Sequence, residues 1–159
     1  MYVRYINANK ICHGLWLGDH ISSQNIYFLK QNKIRLVINC TNDLQIPEEY
    51  KILNIHAIRL PLTNISTLDY KILNDNIDNT ENAIYNYISN GENVLVHCYA
   101  GRQRSATVVA YHMMKRYFFG NYNNAFFYIQ QQRPVAFTPS HRLKDYLKKH
   151  FEKKNLLSK

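Results

Sequence analysis

The chain has few cysteines, and no two of them lie close together in the sequence. Cys12, Cys40 and Cys98 are its only three, and no C-x-x-C pair occurs. An odd, sparse set excludes a disulfide framework and fits a reducing compartment. Cys12 stands directly beside His13, a poor spacing for tetrahedral zinc, so no metal site is expected. No apolar run approaches the ~20 residues that cross a bilayer, and Met1–Tyr2–Val3–Arg4–Tyr5 lacks the apolar core of a secretory signal. These absences predict a cytoplasmic or nuclear protein without membrane insertion. No repeat, low-complexity tract or linker interrupts the sequence, so residues 1–159 read as one domain. Acidic residues are scarce: 11 Asp+Glu stand against 20 Lys+Arg, a net charge of +9. That sign favours anionic partners such as phosphoproteins, nucleic acid or phosphoinositide surfaces. Much of the excess falls at Lys144, Lys148, Lys149, Lys153, Lys154 and Lys159, where a solvated helix face accounts for it.

With 46% hydrophobic residues, the chain has enough apolar content to bury a core. Ile11–Gly18 reads as two short strands around a glycine turn. Ser22 or Ser23 is expected to cap a helix running to about Asn32. Ile34–Cys40 is a buried, β-branched strand. Leu53, Ile55 and Ala57 alternate in the next strand, which stops at Pro61. Tyr70, Leu73, Ile77, Ile84 and Ile88 recur at helical spacing up to Asn90–Gly91. After the strand Val94–Val96, a helix is expected to bury Ala106, Val109, Met113 and Tyr117. A further helix carries Ala125, Tyr128 and Ile129 and ends at Arg133–Pro134. Thr138–Pro139 predicts an N-cap with proline at the first helical position of a last helix, which packs Leu143, Tyr146, Leu147 and Phe151. The aromatic clusters Tyr117–Phe119 and Phe126–Tyr128 are read as core. The fold class is α/β, a central mixed sheet with helices on both faces.

The stretch that carries chemistry is His97–Cys98–Tyr99–Ala100–Gly101–Arg102–Gln103–Arg104–Ser105. It joins an apolar strand to a helix through a tight loop. Such a loop aims backbone N–H groups and a helix N-terminus at one point, an anion site. A cysteine at its floor, close to a cation, is expected to ionise. Arg104 has the planar donor fork that suits two oxygens of a phosphate. Gly101 permits the positive φ of a tight loop. Ser105 can hydrogen-bond the sulfur as thiolate and as leaving group. His97 braces the loop. The backbone of Tyr99, Ala100, Gly101, Arg102, Gln103 and Arg104 is expected to hold the phosphate.

The motif His97–Cys98-x-x-Gly101-x-x-Arg104–Ser105 resembles the signature of cysteine-dependent protein tyrosine phosphatases. Its flanks, Val94–Val96 and Ser105–Tyr111, resemble the dual-specificity branch. Ile11–Gly18, Val37–Asn39 and Arg133–Pro134 with Thr138–Pro139–Ser140 resemble further segments of that family. The small size resembles viral and atypical members, and large insect DNA viruses such as baculoviruses carry such enzymes. The resemblance implies a compact phosphatase fold, a phosphocysteine intermediate, no metal or other cofactor, and a phosphorylated protein as substrate. It also implies that Cys40, at the matching strand end, is a candidate redox partner for Cys98. A small buried hydrophobe is the alternative reading of Cys40.

The pattern departs from the family at one point. The family's general acid is an aspartate after an "L-P-x-D" strand end; here Leu60–Pro61–Leu62–Thr63–Asn64 puts Thr63 there. The first aspartate onward is Asp69. It is read either as the general acid on a rearranged loop or as a helix N-terminal residue favoured by the dipole. Three functions follow. The first is a protein phosphatase acting on phosphotyrosine, with phosphoserine or phosphothreonine as further substrates. The second is a phosphatase of a non-protein polyanion, RNA 5′-triphosphate or phosphoinositide, for which Arg102 adds charge. The third is a weakly active phosphate-binding module.

Overall fold

The computed structural model describes residues 6–158, so the opening pentapeptide read above lies outside the described residues. Strands β1 (Ala8–Cys12), β2 (Leu15–Gly18), β3 (Ile34–Asn39), β4 (His56–Arg59) and β5 (Asn93–His97) form one sheet in the order β1-β2-β5-β3-β4. β1 and β2 make the antiparallel hairpin expected around Gly14, and the other pairings are parallel. The parallel strands therefore end at one edge, where Gly18 and Asn39 flank His97 in register and Arg59 flanks Asn39. Ligands of such sheets sit outside the carboxyl ends of the strands.

β5 lies in the middle. Val94, Leu95 and Val96 have no exposed surface. Val94 and Val96 face the larger apolar cluster, and Leu95 faces the smaller one on the opposite side of the sheet. Helices α4 (Ser66–Ser89), α5 (Arg104–Arg116), α6 (Tyr122–Gln132) and α7 (Lys144–Leu157) contribute to the larger cluster. The short helices α2 (Ile26–Gln31) and α3 (Glu49–Ile52) contribute to the smaller one. The sheet is thus covered on both faces, as expected. No helix among the described residues is long and apolar enough to cross a membrane.

Several local expectations are corrected. The helix predicted up to Asn32 is two: α1 (His20–Gln24) and α2. Asp19 and Asn25 cap them through side-chain oxygens that accept from the N–H groups of Ser22 and Phe28, and Asn25 breaks the run in extended conformation. β4 begins only at His56, because Asn54 at φ 54° turns the chain between Leu53 and Ile55. In α5, Ala106, Val109 and Met113 are buried as expected, but so is every other residue from Arg104 to Met114, since sheet, α4, α6 and α7 surround it. Tyr117, just past its end, is half exposed. Phe119 and Phe127 also face solvent, so only Phe118, Phe126 and Tyr128 of the aromatic clusters pack on the core. Thr138 does not cap a helix: its hydroxyl donates back to Val135 O, the Thr138–Pro139 bond is cis, and α7 starts at Lys144.

The α4–α5 seam encloses an ion cluster that periodicity does not disclose. Glu81 has no exposed side-chain surface, yet accepts from His112 Nδ1 at 2.9 Å, Arg116 Nε and Nη2 at 2.7 and 2.8 Å, and pairs with Lys115 at 3.0 Å. Burial opposes its ionisation, but these donors outweigh it and hold its pKa down to about 2. The folded protein thus binds this proton more weakly than the unfolded chain. The stabilisation is complete above about pH 5 and is lost as pH falls toward about 2, some ~3 kcal/mol over the range. Urea midpoints measured down that range should fall in the wild type and show this component missing in Glu81→Gln. An equal acid response in the variant would contradict the assignment.

Candidate active site

Residues Cys98–Gln103 leave the carboxyl end of β5 and enter the first turn of α5. Their carbonyls are tied from outside the loop. Tyr99 O accepts from His20 N at 3.1 Å and His20 Nδ1 at 2.9 Å. Ala100 O and Gly101 O accept from Arg133 Nη2 and Nε at 3.3 and 2.8 Å, and Arg102 O accepts from Phe137 N at 2.8 Å. A loop with its carbonyls turned outward presents its N–H groups to the interior, a nest for an anion. Gly101 takes φ 65°, and a Cβ there would lie 2.5 Å from Gly18 O and 2.6 Å from Arg133 Nη2. The turn therefore needs glycine on two independent grounds.

Cys98 lies at the floor, 3% exposed. Its Sγ is 3.0 Å from Ser105 Oγ. Burial raises the thiol's pKa, but hydrogen bonds from the Ser105 hydroxyl and N–H, the Arg104 charge and the Gly101 N–H overcome this and lower it below the ordinary value. The thiolate accepts these bonds; the thiol cannot use them all. Arg104 is 8% exposed, and its Nη1 donates to Leu62 O at 3.2 Å, which fixes the guanidinium beside the loop. Burial drives His97 down to about 4, despite its bond to Cys98 O. It is neutral at pH 7, and its Nδ1–H donates to that carbonyl at 3.3 Å.

The cleft above Cys98 measures about 310 Å³ and is lined by Asn64, Cys98, Tyr99, Ala100, Arg102, Gln103, Arg104, Thr138 and Pro139. The structure thus brings together Cys98, Ser105, Arg104 and the loop backbone. Tyr99 turns its ring out to stack on His20, with centroids 4.3 Å apart. The Gln103 side chain also points away, donating to Thr138 O and Ser140 O and accepting from Arg142 N. Only its backbone faces the nest.

Asp69 is not brought to the cleft. It is fully buried in the first turn of α4. Its Oδ1 accepts from Thr63 N at 2.7 Å and Thr63 Oγ1 at 2.9 Å; its Oδ2 accepts from Asn64 N at 3.1 Å and Arg142 Nη2 at 2.9 Å. The carboxylate builds the turn before its own helix, the second of the two readings of Asp69, and in this arrangement it does not line the cleft. No aspartate or glutamate lines the cleft among the described residues. Cys40 follows β3, and its N–H donates to His97 O at 2.8 Å. Burial, then the negative charge of Cys98, push its thiol well above the ordinary range against the pull of Arg104, so it stays protonated.

Two side chains that hold the site escaped the reading of the sequence. Arg133 marks a helix end in the sequence; in the fold it is fully buried, and its Nη1 also donates to Asn7 and Asn9 Oδ1 at 2.9 and 2.8 Å. Arg142 joins Asp69 and Ser66 to the Gln103 side chain. An arginine at a helix end beside proline is the only local signal for the first; nothing local marks the second.

Comparison with known proteins agrees with this geometry. The family profile "Dual specificity phosphatase, catalytic domain" matches residues 15–153. The chain is 33% identical over 119 residues to AMV078 of Amsacta moorei entomopoxvirus, named as a tyrosine-protein phosphatase, covering 75% of this chain and 70% of that one. It is 33% identical over 153 residues to human dual specificity protein phosphatase 16, covering 92% of this chain but 22% of that protein. The crystal structure of DUSP15 superposes with a TM-score of 0.78 at 25% identity, covering 92% of this chain and 88% of that one.

The hydrogen bond from Ser105 supplies a measurable part of the thiolate's stability. Iodoacetamide labelling of Cys98 should have a pH midpoint below that of an ordinary thiol, and Ser105→Ala should raise it by about 1 unit. A midpoint unchanged by the substitution would remove Ser105 from this role.

Proposed function

The chain belongs to the dual-specificity phosphatase family, and we propose that it hydrolyses phosphate monoesters on protein, phosphotyrosine foremost, through a phosphocysteine formed on Cys98. The observation that carries this is a sulfur at the floor of the cleft whose pKa is lowered by the Ser105 hydroxyl, the Ser105 and Gly101 N–H groups and the Arg104 charge. The thiolate attacks phosphorus and the ester oxygen departs. Arg104 and the N–H groups of residues 99–104 hold the equatorial oxygens, whose charge they match throughout the transfer. Water then attacks the phosphocysteine and the sulfur leaves as thiolate, which the Ser105 hydroxyl stabilises. The relatives' names speak for protein substrates, so RNA 5′-triphosphate and phosphoinositide stand second. A nucleophile that must stay reduced fits the cytoplasm or nucleus.

With no carboxylic acid in the cleft, the leaving oxygen departs with little help. A tyrosine phenol ionises at about 10, far below an alkyl alcohol, so aryl esters should react well and phosphoserine poorly. The test is a panel of phosphotyrosine and phosphoserine peptides, phosphoinositides and triphosphate-ended RNA against wild type, Cys98→Ser and Asp69→Asn. Phosphotyrosine turnover should vanish in Cys98→Ser while binding persists. Asp69→Asn should lose stability yet keep the shape of the pH–rate profile, where removal of a true general acid would cost about 10²–10⁴-fold on poor leaving groups. Binding of phosphopeptide without turnover by the wild type would instead establish a binding module.

Cys40 is proposed as the redox partner of Cys98. Peroxide converts the Cys98 thiolate to a sulfenic acid, the Cys40 sulfur then attacks it, and water leaves as the disulfide forms. Peptide mapping after peroxide should recover a Cys40–Cys98 linked peptide that reductant cleaves. Over-oxidised Cys98 with Cys40 still free would dismiss the pairing.

A further inference from the structure

Attack in line from Cys98 sends the leaving oxygen to the side of the phosphorus away from the sulfur, so its contacts come from the cleft walls. Those walls are the phosphate loop, the Thr138–Pro139 segment and Asn64, which comes from the chain between β4 and α4. Most polar side chains there are already engaged. The Tyr99 ring is stacked on His20. The Gln103 amide donates to Thr138 O and Ser140 O, and the Thr138 hydroxyl donates to Val135 O. The Arg104 guanidinium has the equatorial oxygens to hold. Arg102 and Asn64 remain, both exposed. Arg102 belongs to the loop that cradles the phosphate. Asn64 alone rises from a separate wall, and its carboxamide makes no hydrogen bond among the described residues, while its N–H does. Asn64 is also held still. Its N–H donates to Asp69 Oδ2 at 3.1 Å, Thr63 N and Oγ1 donate to Oδ1 of the same carboxylate at 2.7 and 2.9 Å, and Arg142 pairs with that carboxylate at 2.9 Å. Two residues earlier, Leu62 O accepts from Arg104 Nη1 at 3.2 Å, so this wall is tied to the phosphate clamp itself. At φ 71° Asn64 occupies the left-handed region, which side chains enter at a cost that is smallest for asparagine and aspartate. Backbone held in such a region gathers at functional sites.

We propose that Asn64 is the leaving-group contact: its Nδ2–H donates to the ester oxygen as the P–O bond breaks. This deepens the phosphatase reading and rests on it. The Cys98 sulfur forms the S–P bond, the P–O electron pair passes to the ester oxygen, and negative charge grows there. A carboxamide donates a hydrogen bond to that charge but has no proton to give up, so the oxygen leaves as the anion and takes its proton from water. The contact strengthens as the bond breaks, which is where a donor raises rate rather than affinity. It serves oxygens that carry charge easily, the phenolic ones, and makes residue 64 the position where discrimination between tyrosine and serine esters is set. The ionisable and charged groups around residue 64 are Cys98, Arg102 and Arg104 on the loop, and Asp69 and Arg142 behind its own turn.

Leaving-group dependence is the measurement. kcat/KM is followed over aryl phosphates graded from 4-nitrophenyl to unsubstituted phenyl phosphate, and with a phosphoserine peptide, for wild type, Asn64→Gly, Asn64→Asp and Arg102→Ala. Asn64→Gly removes the carboxamide and accepts the positive φ, so the backbone is kept. It should lose about tenfold on phenyl phosphate and less than about threefold on 4-nitrophenyl phosphate, whose oxygen needs less stabilisation. In a Cys98→Ser background the same change should alter the affinity for phosphotyrosine peptide by less than about threefold, since the bond matures in the transition state. Asn64→Asp keeps the left-handed turn and adds a proton. It should raise phosphoserine turnover at least about tenfold at about pH 5, with a new fall in rate on the basic side as the carboxyl ionises. An equal loss along the series in Asn64→Gly, or none, overturns the contact, and so does an unchanged phosphoserine rate in Asn64→Asp. A leaving-group slope that moves with Arg102→Ala and not with Asn64→Gly gives the contact to Arg102 and overturns it for Asn64. No turnover of any ester by the wild type removes the phosphatase reading and this contact together, whereas a wild type active on aryl phosphates with Asn64→Gly unaltered removes this contact alone.

Discussion

A guanidinium with no access to water holds the phosphate loop in shape. Arg133 reaches from the end of α6 under the loop and donates to two of its carbonyls and to two asparagines at the start of the sheet. Burying a charge is costly unless its donors are paired. Here the pairing is spent on turning Ala100 and Gly101 carbonyls away from the cleft. His20 and Phe137 do the same for Tyr99 and Arg102. The anion nest therefore follows from bonds made on its outer side. Gly101 is the point where the arrangement leaves no slack, since backbone and guanidinium both approach it too closely for a Cβ.

Ionisation of the sulfur is favoured against its own burial. A 3% exposed thiolate without donors would be strongly disfavoured. Bonds to a charged partner contribute about 1.5–3 kcal/mol each, and Cys98 receives them from Ser105 twice and from Gly101, with Arg104 adding charge. The neighbouring titratable groups are set the other way. His97 is kept neutral and Cys40 protonated by the same burial. Negative charge in the loop is thus favoured at Cys98, where the donors converge.

What the sequence disclosed was local. The cysteine, the glycine three residues on, the arginine six residues on and the following serine lie within eight residues, so spacing alone indicates their chemistry. The central helix and the sheet hairpin are legible for the same reason. Arg133 and Arg142 lie 32 and 39 residues beyond the loop positions they bind, and no periodicity connects such partners. Ala106, Val109 and Met113 are buried as their spacing indicates, but the helix is enclosed on every side, so its pattern does not mark the further buried positions. The consecutive aromatics were misjudged because neighbours along a chain cannot all face one core: Phe119 sits in a turn at φ 51° and points to solvent.

Asp69 shows how sequence distance misleads where mechanism is concerned. Twenty-nine positions before the cysteine is a usable span only if the carboxylate is free to travel. In the fold it accepts four bonds, one of them from a guanidinium. At about 1.5–3 kcal/mol each, breaking them costs at least about 6 kcal/mol. A general acid returns about 10²–10⁴ in rate, or roughly 3–5.5 kcal/mol. Leaving the turn thus costs about as much as, or more than, a general acid returns. Asp69 fixes Thr63 and Asn64, and through Arg142 it is joined to the Gln103 side chain. The wall of the cleft and the loop at its floor are thereby one hydrogen-bonded unit, so a substitution at Asp69 reaches the phosphate loop through Arg142 and Gln103.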